Sequence, residues 1–201
     1  MHFVEQSLID AGLSPIAGVD EAGRGACAGP LVIASVILKD INSPKLSKLK
    51  DSKALSKKLR EELFVIIHEE AESIAVIEVP PNEVDARGVH AANLDGMRRA
   101  VQNLKTSPNY ILTDGYAIDG MPAPSLAIWK GDQIAPTISA ASIIAKVTRD
   151  RIMVELDSEY PGYGLAKHKG YITAMHTEAL KRLGVTEIHR KSYSNVAALL
   201  N

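Results

Sequence analysis

A chain of 201 residues, 46% hydrophobic and 23% charged, is long enough to bury a sizeable core and ordinary in composition for a globular protein. Its formal net charge of −1 gives no overall pull toward a polyanion, and no apolar run approaches the ~20 residues of a membrane span. One cysteine, Cys27, excludes an internal disulfide and a cysteine-based zinc site and suits a reducing, cytoplasmic compartment; the first ten residues lack the basic region of a signal peptide.

Met1 to Leu13 reads as a short amphipathic lead-in closed by Ser14-Pro15. The apolar run from Ile16 predicts a buried strand that stops at Asp20, where two adjacent acids and a glycine-flanked arginine follow (Asp20-Glu21-Ala22-Gly23-Arg24-Gly25). Pro30 to Leu38 is continuous and β-branched, a second buried strand. The connection to it is too short for a crossover helix, so the pair should be antiparallel. Asn42 to Leu55 is a Lys/Ser-rich loop, and Ser56 can cap a helix to about Glu72 with Leu59, Leu63, Ile66 and Ile67 on one face. Ile74 to Val79 is a third strand, stopped by Pro80-Pro81. A helix restarts near Asn82, and a longer one spans His90 to Leu104 with Leu94, Met97, Val101 and Leu104 at helical spacing. Tyr110 to Asp114 is a fourth strand, again ending on an acid before glycine. Ser125 to Lys130 is a fifth, followed by Gly131-Asp132. Thr137 to Glu159 is a long helix, Pro161 to Gly170 a loop, and Thr173 to Leu183 a helix closed by Gly184, with a partly helical tail. The expectation is one α/β domain over 1–201 with a mixed sheet, and a C-terminal helical appendage from about 160.

The chemistry gathers at strand ends. If the first and fourth strands are neighbours, Asp20, Glu21, Asp114 and Asp132 meet at one edge of the sheet, and so many carboxylates cannot all stay ionised without cations. Oxygen ligands without His or Cys suit Mg²⁺ or Mn²⁺, and two such ions would activate a water and stabilise the leaving oxygen of a phosphodiester. Taken singly, each acid is more often a turn residue or a cap. Charge is also unevenly spread: Lys45, Lys48, Lys50, Lys53, Lys57, Lys58 and Arg60 face one acid, Asp51, and basic residues again prevail from Lys167 to Lys191. Such runs are usually solvated faces, yet Lys53, Ser142, Lys146 and Lys169 lie where a phosphate backbone could pass. His168 reads as surface more readily than as a base, Trp129 as core more readily than as a stacking platform, and Cys27 as a small packed residue.

Gly23-Arg24-Gly25-Ala26-Cys27-Ala28 also fits the G-x-G-x-x-A dinucleotide fingerprint, but a strand follows it instead of a helix, so the pyrophosphate would find no helix N-terminus. A P-loop fails as well, because Arg24 and Gly25 stand where Lys and Ser/Thr are required. A dinucleotide-dependent oxidoreductase is therefore a weak reading.

Several motifs in order resemble the type 2 ribonuclease H family, specifically bacterial ribonuclease HII: GVDEAGRG (Gly18–Gly25), DSKALS (Asp51–Ser56), LTDG (Leu112–Gly115), KGD (Lys130–Asp132), SAASIIAKVTRD (Ser139–Asp150) and YGLAKHKGY (Tyr163–Tyr171). The likeness runs from Ala17 to about Tyr193, with His189-Arg190-Lys191-Ser192-Tyr193 similar to the family's basic C-terminal segment. It implies a ribonuclease H-like fold with a five-stranded mixed sheet. It also implies endonucleolytic cleavage of RNA in RNA–DNA hybrids and 5′ to ribonucleotides embedded in duplex DNA. Two metal ions and Asp20, Glu21, Asp114 and Asp132 as catalytic carboxylates would leave 5′-phosphate and 3′-hydroxyl ends, serving ribonucleotide removal and RNA primer processing. Gly23, Arg24 and Gly25 match the segment that senses the 2′-hydroxyl, and Tyr171 matches the aromatic that packs on the neighbouring sugar. A monomer without membrane attachment is the default. A non-catalytic nucleic-acid-binding module on the same fold is the competing class, and the intact acid set argues against it.

Overall fold

Eight consecutive apolar or small residues, Leu31–Leu38, form a strand (β2) buried along its whole length, as an unbroken β-branched run with both faces covered should be. The computed structural model describes residues 3–49 and 55–200, Phe3 by its backbone alone. In it, β2 pairs antiparallel with β1 (Ile16–Ala22) on one side and β3 (Ala71–Val79) on the other. β4 (Tyr110–Asp114) runs parallel to β1, and β5 (Ser125–Ile128) parallel to β4, giving the mixed order β3-β2-β1-β4-β5. The early hairpin and the mixed five-stranded sheet are as read from the sequence.

Helices cover both faces. α1 (Phe3–Asp10) precedes the sheet, and α2 (Lys57–Glu70), capped by the Ser56 hydroxyl accepting from the Leu59 N–H, leads straight into β3. α3 (Pro81–Arg87) and α4 (Val89–Gln102) follow β3. α5 (Pro136–Glu159) is the long helix after β5, and α6 (Leu165–His168), α7 (Ala174–Leu183) and α8 (Ser194–Ala197) complete the chain. Strand alternation divides the core. Val19, Leu31 and Ile33 pack with Met97, Ala100 and Val101 of α4. Ala22, Val32, Ala34 and Val36 pack with Ala140, Ile143, Ile144 and Val147 of α5 and with Leu63 and Ile67 of α2. A third cluster joins Met153 of α5 to Leu165, Ala179, Leu180 and Ile188, so the C-terminal helices share a core with the far end of α5.

Several boundaries differ from the sequence reading; β3, for one, begins at Ala71, three residues before the expected Ile74. β1 does not stop at Asp20 but runs through Glu21 to Ala22, because Glu21 and Ala22 still find partners in Ile33 and Val32 of β2. The stretch 161–170 holds a helical turn, α6. Trp129, expected in the core, is 80% exposed. β5 ends at Ile128, two residues short of the expected Lys130, the Gly115 N–H closes on the Ile128 carbonyl, and Lys130 takes a left-handed φ of 56° into a 3₁₀ turn, Gly131–Gln133. Trp129 is left on the corner with no sheet face to cover it.

α5 lies close to β1 because Gly18 has no side chain: a Cβ there would stand 2.1 Å from the Thr137 carbonyl carbon. Backbone on both sides cannot yield as a rotamer can. Gly18→Ala should therefore cost at least about 3 kcal/mol of stability, the upper end for overpacking. Urea denaturation of the variant against the parent checks this.

Candidate active site

The register of the parallel pair sets Val19 beside Thr113, so one step further Asp20 adjoins Asp114 at the last residue of β4. By alternation both face α5, in line with Gly18, which abuts Thr137, and Leu112, which packs on Ile138. Glu21 leaves the other face of the same strand. Asp20 is buried; its Oδ1 accepts from the Glu21 N–H at 2.7 Å, and the Ser142 hydroxyl on α5 bonds to it as well. Burial, then the carboxylates of Glu21 and Asp114, push the Asp20 pKa well above the ordinary aspartate range, against the pull of those hydrogen bonds. Asp114 Oδ1 accepts from the Gly131 N–H at 2.7 Å, which ties the end of β4 to the turn carrying the buried Asp132.

These acids line two adjoining cavities that meet at Glu21. One of about 700 Å³ takes in Asp20, Glu21, Gly23, Arg24, Gly25, Ser142, Lys146, Tyr171 and Tyr193. The other, about 290 Å³, takes in Glu21, Asp114, Tyr116, Trp129, Lys130 and Asp132. Among the described residues, no three Asp, Glu, His or Cys side chains stand close enough to form a metal-ligand group as they are placed. The donors are nonetheless all hard oxygens, and a buried carboxylate whose ionised form two neighbouring acids destabilise is one that a divalent cation would relieve.

The glycine-rich turn owes its shape to two buried guanidiniums. Gly23 has φ +88°, and a Cβ on it would lie 1.8 Å from Arg149 Nε. Arg149, on α5, donates to the carbonyls of Pro30, Ala28 and Lys169 at 2.8–2.9 Å. Arg190 donates to the carbonyls of Gly23 (2.8 Å), Arg24 (3.1 Å) and Gly29 (3.0 Å) and to the Tyr193 hydroxyl. With the Gly23 and Arg24 carbonyls turned to Arg190, peptide planarity turns the Arg24 and Gly25 N–H groups the other way. Burial pulls the Arg149 pKa down to about 10, leaving it charged at neutral pH. The Arg24 guanidinium lies 5.0 Å from the Tyr116 ring centre, and its buried Nε has no hydrogen-bond partner.

Tyr171 is held from behind. Its carbonyl accepts from His176 Nδ1 at 3.1 Å; His176 Nε2 meets His189 Nε2 at 3.2 Å; His189 Nδ1 accepts from the Thr186 N–H at 3.1 Å. This order of partners assigns both rings as neutral, with His189 donating from Nε2 and His176 from Nδ1. His168 stacks on His176 at 4.3 Å, donates from Nε2 to the Tyr163 carbonyl and accepts from the Gly170 N–H, so it serves the backbone. Cys27 is fully buried beside His176.

Of the expected phosphate contacts, Ser142 and Lys146 reach the larger cavity, with Lys146 also 2.7 Å from Asp150. Lys169 does not: its Nζ donates to the Ala166 carbonyl, and it lines a separate groove with Lys57, Asp150 and Arg151. Lys53 lies outside the described residues. Sequence reasoning missed Arg149 and Arg190 as the anchors of the turn, and Tyr193 as a wall of the cavity. A signal for Arg149 was present: Ser142, Lys146, Arg149 and Met153 repeat at helical spacing on one face of α5.

The ribonuclease HII family model matches residues 17–196. The ribonuclease HII of Mycobacteroides abscessus is 56% identical over 98% of this chain and 84% of its own length. That of Rhodococcus opacus is 54% identical over 100% of this chain and 89% of its own length. Among solved structures, the ribonuclease H2 of Pyrococcus horikoshii aligns with a TM-score of 0.79 at 31% identity, covering 92% of this chain and 96% of that one.

The neutral histidine pair has a pH consequence. Burial, and then His176, lower the His189 pKa to about 4 from an ordinary value near 6.5. Between those values the unfolded chain takes up a proton that the folded one refuses. The stability this site contributes is thus complete above about pH 6.5 and is lost as pH falls toward 4, on the order of 2–3 kcal/mol. Urea denaturation from pH 7 to 4.5 should show the loss, and His189→Gln should flatten that part of the profile relative to the parent.

Proposed function

Since the chain belongs to the ribonuclease HII family, we propose that the two cavities meeting at Glu21 are where it hydrolyses RNA strands of RNA–DNA hybrids and cuts 5′ to ribonucleotides embedded in duplex DNA. The observation that carries the assignment is the juxtaposition of the Asp20–Asp114 pair with the Gly23–Gly25 turn at the end of one sheet. Acids able to gather cations and a backbone able to meet a sugar lie within one substrate's reach.

Asp20, Glu21, Asp114 and Asp132 would hold the divalent cations, two Mg²⁺ or Mn²⁺ ions, to which an all-oxygen donor set is suited. Such ions, when bound, supply Lewis acidity that lowers the pKa of water and offsets charge on a breaking phosphodiester. The remaining work falls to the chain's own groups. The Ser142 hydroxyl keeps the Asp20 carboxylate oriented. The Arg24 and Gly25 N–H groups, turned from Arg190, bind the 2′-hydroxyl and its phosphate, the feature that separates RNA from DNA. Tyr171, 39% exposed at the cavity wall, packs on the next sugar. Lys146 takes a phosphate in the cavity, with Lys53 and Lys169 further along the backbone as positioning contacts. Residues from about 160 onward contribute by bracing the turn through Arg190 and the Tyr171 segment through His176. The products carry 5′-phosphate and 3′-hydroxyl ends. A buried Cys27 without a disulfide suits a reducing, cytoplasmic compartment, where the chain would act as a monomer in ribonucleotide removal and RNA primer processing.

An end-labelled DNA duplex carrying one ribonucleotide, incubated with Mg²⁺ or Mn²⁺, should be cut 5′ to it. Asp114→Asn should slow the cut on the order of 100-fold or more, about 2.7 kcal/mol of barrier. Cleavage that survives a chelator, or is indifferent to the substitution, would sink the assignment.

A further inference from the structure

We propose that Trp129 is a stacking platform for the bound duplex, positioning it across Glu21 from the Gly23–Gly25 turn; this rests on the reading above. Trp129 is 80% exposed, so most of its indole is open to a ligand. It lines the smaller cavity together with Glu21, Asp114 and Asp132.

Its position is set by rigid backbone. The preceding carbonyl, of Ile128, accepts from the Gly115 N–H at 2.9 Å. Lys130 after it is fixed in the left-handed region, and the Gly131 N–H is tied to Asp114 at 2.7 Å. Gly131 itself is pressed so close to Ile138 that a Cβ would lie 2.5 Å from its Cδ1. One corner thus carries both Trp129 and the hydrogen bond that orients an acid, so the indole is displayed at a fixed offset from the acids.

A nucleic acid is the occupant that this chemistry fits. A strand engaging Asp20 in one cavity and Asp132 in the other must cross Glu21 and come up against Trp129. In an intact duplex the base faces are covered by their stacked neighbours, so the indole packs on a sugar face, which every nucleotide offers, as an enzyme that reads ribose and not sequence requires. Lys130 beside it offers a charge for phosphate. Leu126 and Ile134, close to Trp129 in sequence and partly exposed, would suit a protein partner instead, which makes a different prediction.

Trp129 is the sole tryptophan, so indole emission excited beyond the tyrosine absorption band reports this position alone. The full chain is titrated, without divalent ions, with the duplex carrying one ribonucleotide, and binding is followed separately by anisotropy of a label on the duplex. Indole emission should be quenched in step with anisotropy. Trp129→Ala should weaken binding about tenfold (~1.4 kcal/mol) and raise KM more than it lowers kcat; Trp129→Phe should recover most of the loss. Circular dichroism and melting of both variants separate this from misfolding. Constant emission while anisotropy reports binding, or unchanged affinity in a folded Trp129→Ala chain, overturns the proposal, and a protein-docking role would give that result. A parent chain that neither binds nor cuts the duplex overturns the functional assignment instead, and this proposal with it.

Discussion

Two guanidiniums with no carboxylate partner at hydrogen-bond distance among the described residues hold the glycine-rich turn in place. Burying Arg149 and Arg190 is costly, and the cost is met by backbone carbonyls, three for each side chain. Because those carbonyls belong to residues 23–30 and 169, the two arginines fasten the turn to α5 on one side and to the C-terminal segment on the other. Main-chain ties complete the clasp: Cys27 N–H to the Gly170 carbonyl at 2.9 Å, Gly29 N–H to Ile188 and Arg190 N–H to Cys27, both at 2.8 Å. The turn's shape is therefore imposed from distant parts of the sequence, and the glycines are what allow it. Gly23 gives room to the Arg149 side chain, and Gly170 gives room to the Ala28 carbonyl.

The same helix face that contributes this positive anchor also meets the acids. Ser142 touches Asp20, Lys146 reaches the cavity, Arg149 holds the turn, and Met153 enters the C-terminal core. One continuous helix, α5, therefore sets the distance between the buried Asp20 carboxylate and the Gly23–Gly25 turn. The spacing is enforced by Gly18, which lets α5 lie directly on β1. Removing that closeness would shift Ser142 away from Asp20 and Arg149 away from the turn together, since neither is attached through a flexible loop.

The sheet was legible because its strands are marked by chemistry that does not depend on context. β2 is an unbroken β-branched run, β3 is stopped by paired prolines, and β4 has its boundary at an acid before glycine. The acids at strand ends were legible for the same reason, and the neighbouring of β1 and β4 that joins them appears in the parallel register. What stayed hidden depends on long-range partners. β1 runs past its acids only because β2 still offers Val32 and Ile33. Arg190 lies in a basic stretch that reads as a solvated tail, and its burial follows from carbonyls more than 160 positions away. Trp129 was misread because its apolar character suggests a core, whereas the left-handed turn at Lys130 lifts it off the sheet.

Splitting the acids between two cavities has a consequence for selectivity. Asp20 and Asp114 share a face and a neighbour relation, Glu21 leaves the opposite face, and Asp132 arrives on a separate turn that the bond from Gly131 to Asp114 ties to them. A strand that engages all four acids must lie across the sheet end and cannot enter a closed pocket, so it meets walls on both flanks. On one flank stand the Arg190-anchored turn and the histidine-braced Tyr171, on the other Tyr116 and Trp129. Each wall is held by backbone hydrogen bonds and excluded volume, which change little on binding. On the proposed reading, a sugar that fails to meet the first wall is not rescued by the acids, because the phosphodiester would then not be held over Asp20; discrimination and cleavage would depend on the same rigid spacing.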